Sequence, residues 1–304
     1  MKNFNRRDFL KSSVVLLPIP LIGYSFDMKA PKPLLSFSTL GCPDWSFDEI
    51  LSFAALHGFS GIEFRGLKRE IDLSKAPDFS AANIRTSLQK LKQHKLRIIN
   101  LGASTALHYT NKAEREKNID EAKHYIDLAQ QLNCPYIRVF PNKLPKDDTR
   151  NAVIELIIDG LKTLGDYAKN TKVTVLMETH GDVVYAADLV KIMESVNHPK
   201  VALVWDIANM WTITKEPPAE VYPKLKPYIH HTHIKDATLD GDKVNYVLLG
   251  KGQVPIFEAI DLLHKDGYKG FYSFEWEKLW HPELMEPGIA FADYASVMKE
   301  HFKV

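Results

Sequence analysis

Four apolar runs in the second half of the chain each end on side chains able to hold a hard cation or move a proton. They are Val175-Leu-Met-Glu178-Thr-His180, Leu203-Val-Trp-Asp206, His231-Thr-His233-Ile-Lys235-Asp236 and Phe271-Tyr-Ser-Phe-Glu275-Trp-Glu277. In a barrel of parallel strands the chemistry sits at the mouth formed by the strand ends, so carboxylate, carboxylate, imidazole and carboxylate closing successive strands imply one site. Three carboxylates and an imidazole gathered at a point repel unless a cation neutralises them. An oxygen-rich set with a single nitrogen favours Mn²⁺ or Mg²⁺, Mn²⁺ first, with Co²⁺ and Zn²⁺ as alternatives. The competing use of such residues is structural: a strand-end Asp caps the next helix, and a strand His is a satisfied core residue. Four in register on consecutive strands favour the site.

Strand alternation sorts these residues by face. Thr174, Leu176, Glu178 and His180 share one; Val204, Asp206 and Ala208 another; His231, His233 and Lys235 a third; Ser273, Glu275 and Glu277 a fourth. Phe274 and Trp276 are left for a helix layer. Alternation alone leaves open which face points inward.

Positioning such ends takes strands that alternate with helices. Strand signals fall at 34–41, 61–65, 96–100, 136–140, 172–179, 201–206, 230–235 and 271–275. Helical spacing follows each of them, at 47–57, 81–95, 112–132, 148–169, 186–196, 219–226, 255–265 and 289–301. Eight strand–helix pairs with no glycine-rich first turn predict a single-domain (β/α)8 TIM barrel in preference to an open doubly wound sheet. The longest irregular stretches, 104–110, 209–218, 237–252 and 278–288, all follow strands, where substrate contacts are usually made.

The start of the chain reads as an address. Arg6-Arg7-Asp8-Phe9-Leu10-Lys11 precedes a mainly apolar run, Ser12 to Ile22, that is too short to span a bilayer and is broken by Pro18 and Pro20. It resembles a twin-arginine export signal, which assigns residues 1–28 to the signal, 29–304 to the catalytic domain and the mature protein to the periplasm. Cleavage is expected between about Ser25 and Ala30. No cysteine follows the apolar run, so no lipid anchor is expected. Without residues 1–28 the chain keeps 35 basic and 36 acidic residues, a net charge of −1, which argues against nucleic acid as a partner. Cys42 and Cys134 close the first and open the fourth predicted strand, so two free thiols are expected.

The motifs Gly61-Ile-Glu-Phe-Arg65, Met177-Glu178-Thr-His180, Trp205-Asp206-Ile-Ala-Asn209, His231-Thr-His233-Ile-Lys-Asp236, Leu249-Gly-Lys-Gly252 and Ser273-Phe-Glu275-Trp-Glu277 together resemble the sugar phosphate isomerase/epimerase family of xylose-isomerase-like barrels. The resemblance covers about Leu34 to Phe302. It implies Glu178, Asp206, His233 and Glu275 as metal ligands, with Glu178 and Glu275 also the acid–base pair. A carbonyl and an adjacent hydroxyl on a metal acidify the C–H between them, and a carboxylate on each side removes and returns the proton.

Two positions depart from the best-known epimerase pattern. Asn209 stands where those epimerases commonly place a sugar-contacting histidine, and Leu239 where they place an arginine. His180, Lys235, His108 and Arg65 are candidate replacement contacts, and His281 in the loop after the last strand is a candidate general acid. Lys235 has a second use, pairing with Asp236 or Glu277. Among the loop tryptophans, Trp45 and Trp280 are the candidates for stacking on a sugar. Gly250-Lys251-Gly252 reads as a turn ahead of a helix more readily than as a phosphate cradle.

The expected function is metal-dependent epimerisation or isomerisation of an unphosphorylated ketose through an enediolate. Elimination from a 3-keto-glycoside or cyclic polyol at the same site is the first alternative, and non-catalytic carbohydrate binding the second. The expected partner is a small carbohydrate, with homo-oligomerisation left open.

Overall fold

The structure, a computed structural model, describes residues 32–304. The export-signal reading of residues 1–28 and its cleavage point lie outside the described residues.

Strand and helix segments alternate as β1 (Leu34–Ser38), α1 (Phe47–His57), β2 (Gly61–Phe64), α2 (Ile84–Gln93), β3 (Arg97–Ala106), α3 (Lys112–Gln131), β4 (Tyr136–Phe140), α4 (Arg150–Ala168), β5 (Thr174–Glu178) and α5 (Ala186–Val196). The second half continues with β6 (Val201–Asp206), α6 (Ile207–Thr214), α7 (Pro218–Leu225), β7 (Ile229–Ile234), β8 (Asp236–Asp240), β9 (Lys243–Val247), α8 (Ile256–Lys265), β10 (Phe271–Phe274) and α9 (Pro287–His301). Eight of the strands close into a parallel barrel in the order β1-β10-β7-β6-β5-β4-β3-β2. The expected TIM barrel is therefore the observed fold.

Local sequence explains the helix ends. Ser46 caps α1 by accepting from the Glu49 amide while the Glu49 carboxylate accepts from the Ser46 amide, and Gly58 ends the helix at φ 80°, a conformation that costs glycine nothing. Asn197 ends α5 in the same left-handed region.

Burial resolves the face that alternation left open. Val175, Met177, Leu203 and Trp205 join the large core between barrel and helices, whereas Leu176, Ala202 and Val204 form a separate small cluster with Tyr136 packed against it. That small cluster is the barrel lumen, so Glu178 and Asp206, which share its faces, point inward above an apolar floor. Phe274 and Trp276 stack at 5.7 Å in the helix layer, as expected.

Two loops carry structure that period counting did not predict. The stretch after Asp206 forms α6 because the Asp206 carboxylate caps it, accepting from the Asn209 amide at 2.8 Å. The stretch after β7 forms the antiparallel β8–β9 hairpin. Its base is tied down by Asp236, whose carboxylate accepts from the amides of Ala237, Gly250, Gly252 and Val254. The Leu249-Gly-Lys-Gly252 motif is thus a turn folded onto Asp236, with the Gly250 and Gly252 amides consumed. Both cysteines are buried and free.

Candidate metal and active site

Glu178, Asp206, His233 and Glu275 converge at the C-terminal mouth, each buried, with one donor atom apiece within 4.8 Å of the others. His233 Nδ1 lies 3.2 Å from Glu178 Oε1, 3.4 Å from Glu275 Oε1 and 3.7 Å from Asp206 Oδ2. Register brings Asp206 opposite His233, and β10 places Ser273 beside it. Because β6 and β7 separate β5 from β10, Glu178 and Glu275 stand on opposite flanks of the Asp206–His233 pair. Asp206 does both things open to it: one oxygen caps α6, the other faces the cluster.

The far side of His233 is fixed by a residue absent from the sequence-derived set. Glu63 on β2 meets His233 Nε2 at 3.0 Å and His231 Nε2 at 2.9 Å, and accepts from the Ser273 hydroxyl at 3.2 Å. With Nε2 engaged there, Nδ1 is left to face the carboxylates, the arrangement by which an acidic partner orients a metal-binding imidazole. Arg138 on β4, also absent from that set, lies with Nε 3.1 Å from Glu178 Oε2 while Nη1 donates to the Ala103 carbonyl at 3.1 Å. The signal for both was available: an ionisable residue at the centre of an apolar strand is expensive unless partnered.

Lys235 enters the same cluster. Its buried Nζ lies 2.7 Å from Glu275, 2.8 Å from Glu277 and 2.9 Å from Asp206. Of the pairings expected for it, Glu277 is realised and Asp236 is not, since the latter's oxygens are spent on loop amides. Burial alone would lower the Lys235 ammonium, but the three carboxylates hold it charged, well above its ordinary range. Burial would likewise lower His233, yet Glu275, Glu63 and Glu178 raise it well above the usual imidazole value. Burial pushes Glu178 up, and the His233 and Arg138 charges more than reverse this, leaving it well below the carboxylate range. Glu275 goes the other way: burial carries it to about 7 despite His233 and Lys235. With Glu63 counted, the five carboxylates around the cluster outnumber Arg65, Arg138, Lys235 and the His233 imidazolium, so the group is left short of positive charge.

That excess is the fit test for a divalent ion. Glu178 Oε2 and Asp206 Oδ2 are buried with no aligned hydrogen-bond donor, although cations stand close to both. A set of three carboxylates and one imidazole, short of positive charge, suits a divalent metal.

Above the cluster lies a cavity of about 230 Å³ lined by Arg65, Arg138, Phe140, His180, Glu277 and Trp280 together with the inner glutamates and Lys235. His180 packs on Phe140 at 4.5 Å and pairs Nδ1 with Asn142 Oδ1 at 3.0 Å. Asn209 donates from Nδ2 to Glu178 Oε1 at 3.4 Å, so its side chain touches one of the two glutamates.

Three expected contacts fall elsewhere. Trp45 packs against Phe53 and Phe291 on the outer face of α1, because its ring completes the apolar layer under that helix. His108 lies against Tyr109 with the rings tilted and their centroids 4.4 Å apart, and does not line the cavity. His281 is held outward by Glu283 and by the edge of Tyr246, one ring removed from Lys235.

Fold and site define an α/β barrel whose C-terminal mouth carries three carboxylates and an imidazole that could hold a divalent ion. The chain belongs to the xylose isomerase-like TIM barrel family, whose pattern matches residues 51–295. It is 24% identical to fructoselysine 3-epimerase of Shigella flexneri over 256 residues, 81% of this chain and 88% of that one. It is also 24% identical to 3-dehydroshikimate dehydratase of Bacillus anthracis over 229 residues, 71% of this chain and 78% of the other. A solved structure of the IolI protein with a bound zinc atom shares the fold at TM-score 0.76 and 16% identity, covering 89% of this chain and 98% of that one. The relatives are enzymes, epimerases and dehydratases alike.

Proposed function

We propose that the protein is a metal-dependent epimerase or isomerase that takes a proton from the carbon beside a carbonyl in an unphosphorylated ketose or related sugar. The observation that carries this reading is the placement of Glu178 and Glu275 on opposite flanks of the Asp206–His233 pair, facing one polar cavity. A bound divalent ion, Mn²⁺ first, held by Glu178, Asp206, His233 and Glu275 would supply Lewis acidity to the carbonyl oxygen. One glutamate removes the proton from one face of the carbon; the other returns it from the opposite face, inverting the centre, or delivers it to the neighbouring carbon, isomerising. Lys235 keeps a proton donor beside Glu275, and the apolar floor of Leu176, Ala202 and Val204 closes the lumen to water from below. The consumed Gly250 and Gly252 amides leave that turn without donors for a phosphate.

A second reading, elimination from a 3-keto-glycoside or cyclic polyol, is favoured by Lys235. A buried ammonium on the cavity wall, 2.7 Å from Glu275, places positive charge where a departing oxygen substituent would develop negative charge, and Glu275 beside it can return the abstracted proton to that oxygen, which turns the same proton removal into a lyase reaction. The setting belongs to the same proposal: export by the twin-arginine route would place the enzyme in the periplasm, where glycosides are available.

The test is proton exchange in heavy water. Mn²⁺-loaded protein is incubated with free ketoses and 3-keto-glycosides and followed by NMR, beside Glu275→Gln. Deuterium entering a retained or inverted sugar supports the first reading, and loss of aglycone or water the second. Tight carbohydrate binding without any exchange would leave a non-catalytic binding protein.

A further inference from the structure

Three strongly basic side chains line the cavity, and two of them have counter-charges. Arg138 has Glu178, and Lys235 has Asp206, Glu275 and Glu277. Arg65 has none: among the described residues no carboxylate lies within 4.0 Å of it, and no aromatic ring sits under its guanidinium. It is only 6% exposed. Its Nη2 donates to the Ser104 hydroxyl at 3.1 Å, while Nη1 is buried with no hydrogen-bond partner at all. Burial and the neighbouring Arg138 charge pull its pKa down to about 10, although Tyr125, Glu275 and Glu178 act the other way from beyond ion-pair distance.

The barrel makes room for this arrangement at a cost in packing. A Cβ on Gly102 of β3 would come within 2.6 Å of Arg65 Cδ and 2.9 Å of Arg138 Nη2, so the glycine is what lets the two arginine stems lie side by side on the wall. Leaving a buried guanidinium without a partner is destabilising. Such an arrangement makes sense where the missing partner arrives with the substrate.

We propose that Arg65 receives an acidic group of the substrate, so that the molecule turned over is a carboxylate-bearing carbohydrate or cyclic hydroxy acid. Arg65 Nη1 receives the acidic group from the cavity wall, Ser104 holds Nη2 from behind, and the carbonyl end lies between Glu178 and Glu275. This rests on the cavity being the reacting site. A guanidinium pairs with a carboxylate or a phosphate, and the inorganic phosphate arm of the experiment separates the two.

The experiment reads binding, not turnover. Glucuronate against glucose, quinate against myo-inositol, and inorganic phosphate are titrated by calorimetry and Trp280 fluorescence into Mn²⁺-loaded and chelator-treated protein. At least one acid should bind about tenfold or more tightly than its neutral counterpart in both states, and more tightly than phosphate, as charged hydrogen bonds to a buried arginine require. Arg65→Gln should erase that preference, and Arg65→Lys should restore part of it. Should Arg65→Gln fail to fold, Ser104→Ala, at an exposed position, should still weaken the acid about two- to fivefold, the worth of a modest hydrogen bond. Equal binding of acids and neutral probes, a preference that survives Arg65→Gln or Ser104→Ala, or tightest binding by phosphate would each overturn the proposal. Since no turnover is read, such a result would leave the proton-exchange reading standing, and failed exchange would leave an acid preference standing.

Discussion

His233 is held between Glu63 and the metal donor set: Glu63 Oε1 stands 3.0 Å from its Nε2, on the side of the ring opposite the Nδ1 that meets Glu178 at 3.2 Å. The Glu63 carboxylate therefore fixes both the ring's orientation and its tautomer. Glu63→Gln should weaken Mn²⁺ or Zn²⁺ binding about 10- to 100-fold, the usual loss when the partner of a metal-bound histidine is removed. Competition against a chelator measures it, and an unchanged affinity would show that Glu63 serves only the packing of β2.

The metal-free protein should be most stable in a window set by the same pair. Burial raises Glu63, but the His233 charge and the hydrogen bonds from both histidines outweigh it, holding its carboxyl well below 4.5. A depressed carboxylate contributes stability that is present above the unfolded value near 4.5 and lost as pH falls through the folded one. His233, raised despite burial by Glu275, Glu63 and Glu178, contributes stability complete below its unfolded value near 6.5 and lost as pH rises through the folded one. Melting temperatures of chelated protein should peak between those values, and Glu63→Gln should flatten the acid limb. Metal must displace the Nδ1 proton, so the stabilisation by added Mn²⁺ should grow with pH.

Glu275→Gln should lower proton exchange by about 10²- to 10⁴-fold, the range for a lost general acid or base. Glu178→Gln should do the same and also leave the Arg138 guanidinium without its counter-charge. Its melting temperature should therefore fall further than that of Glu275→Gln, and calorimetry of the two variants makes the comparison.

Lys235→Met removes the ammonium from among Asp206, Glu275 and Glu277. Stranding buried carboxylates costs about 3–5 kcal/mol when one partner of a buried pair is removed, so the chelated variant should melt well below wild type. A divalent ion replaces part of the missing charge, and Mn²⁺ should raise the variant's melting temperature more than it raises that of wild type. Equal increments would mean the lysine does not balance the site.

Gly252→Ala tests the tie between the hairpin base and β7. A methyl there would overlap Asp236 Oδ1 and come within 2.6 Å of the Ala237 carbonyl oxygen. The expected loss is about 1–3 kcal/mol, the range for overpacking a tight site. Urea unfolding reads it directly.

The sequence by itself determined the barrel and which strand ends meet at its mouth, because both follow from local rules; the resemblance, not the spacing, singled out His233 from His231 and Glu275 from Glu277. Alternating apolar runs and helical spacing are short-range patterns, and residues that close consecutive parallel strands are carried to one mouth by the connectivity alone. Glu178, Asp206, His233 and Glu275 could therefore be grouped without coordinates, and so could Lys235 with Glu277. Only the tertiary structure decided what comes from across the barrel. Glu63 on β2 reaches His233 on β7, 170 residues away in sequence, and no local period relates such positions; Arg138 on β4 meets Glu178 from the adjacent strand, at a register only the folded sheet sets. The same holds for the outward fate of Trp45 and His281, set by the neighbours Phe291 and Tyr246, and for Arg65, whose Nη1 lacks a hydrogen-bond partner and whose guanidinium has no carboxylate within ion-pair distance among the described residues. A missing counter-charge is a property of everything packed around a residue, and only folding brings that surrounding together.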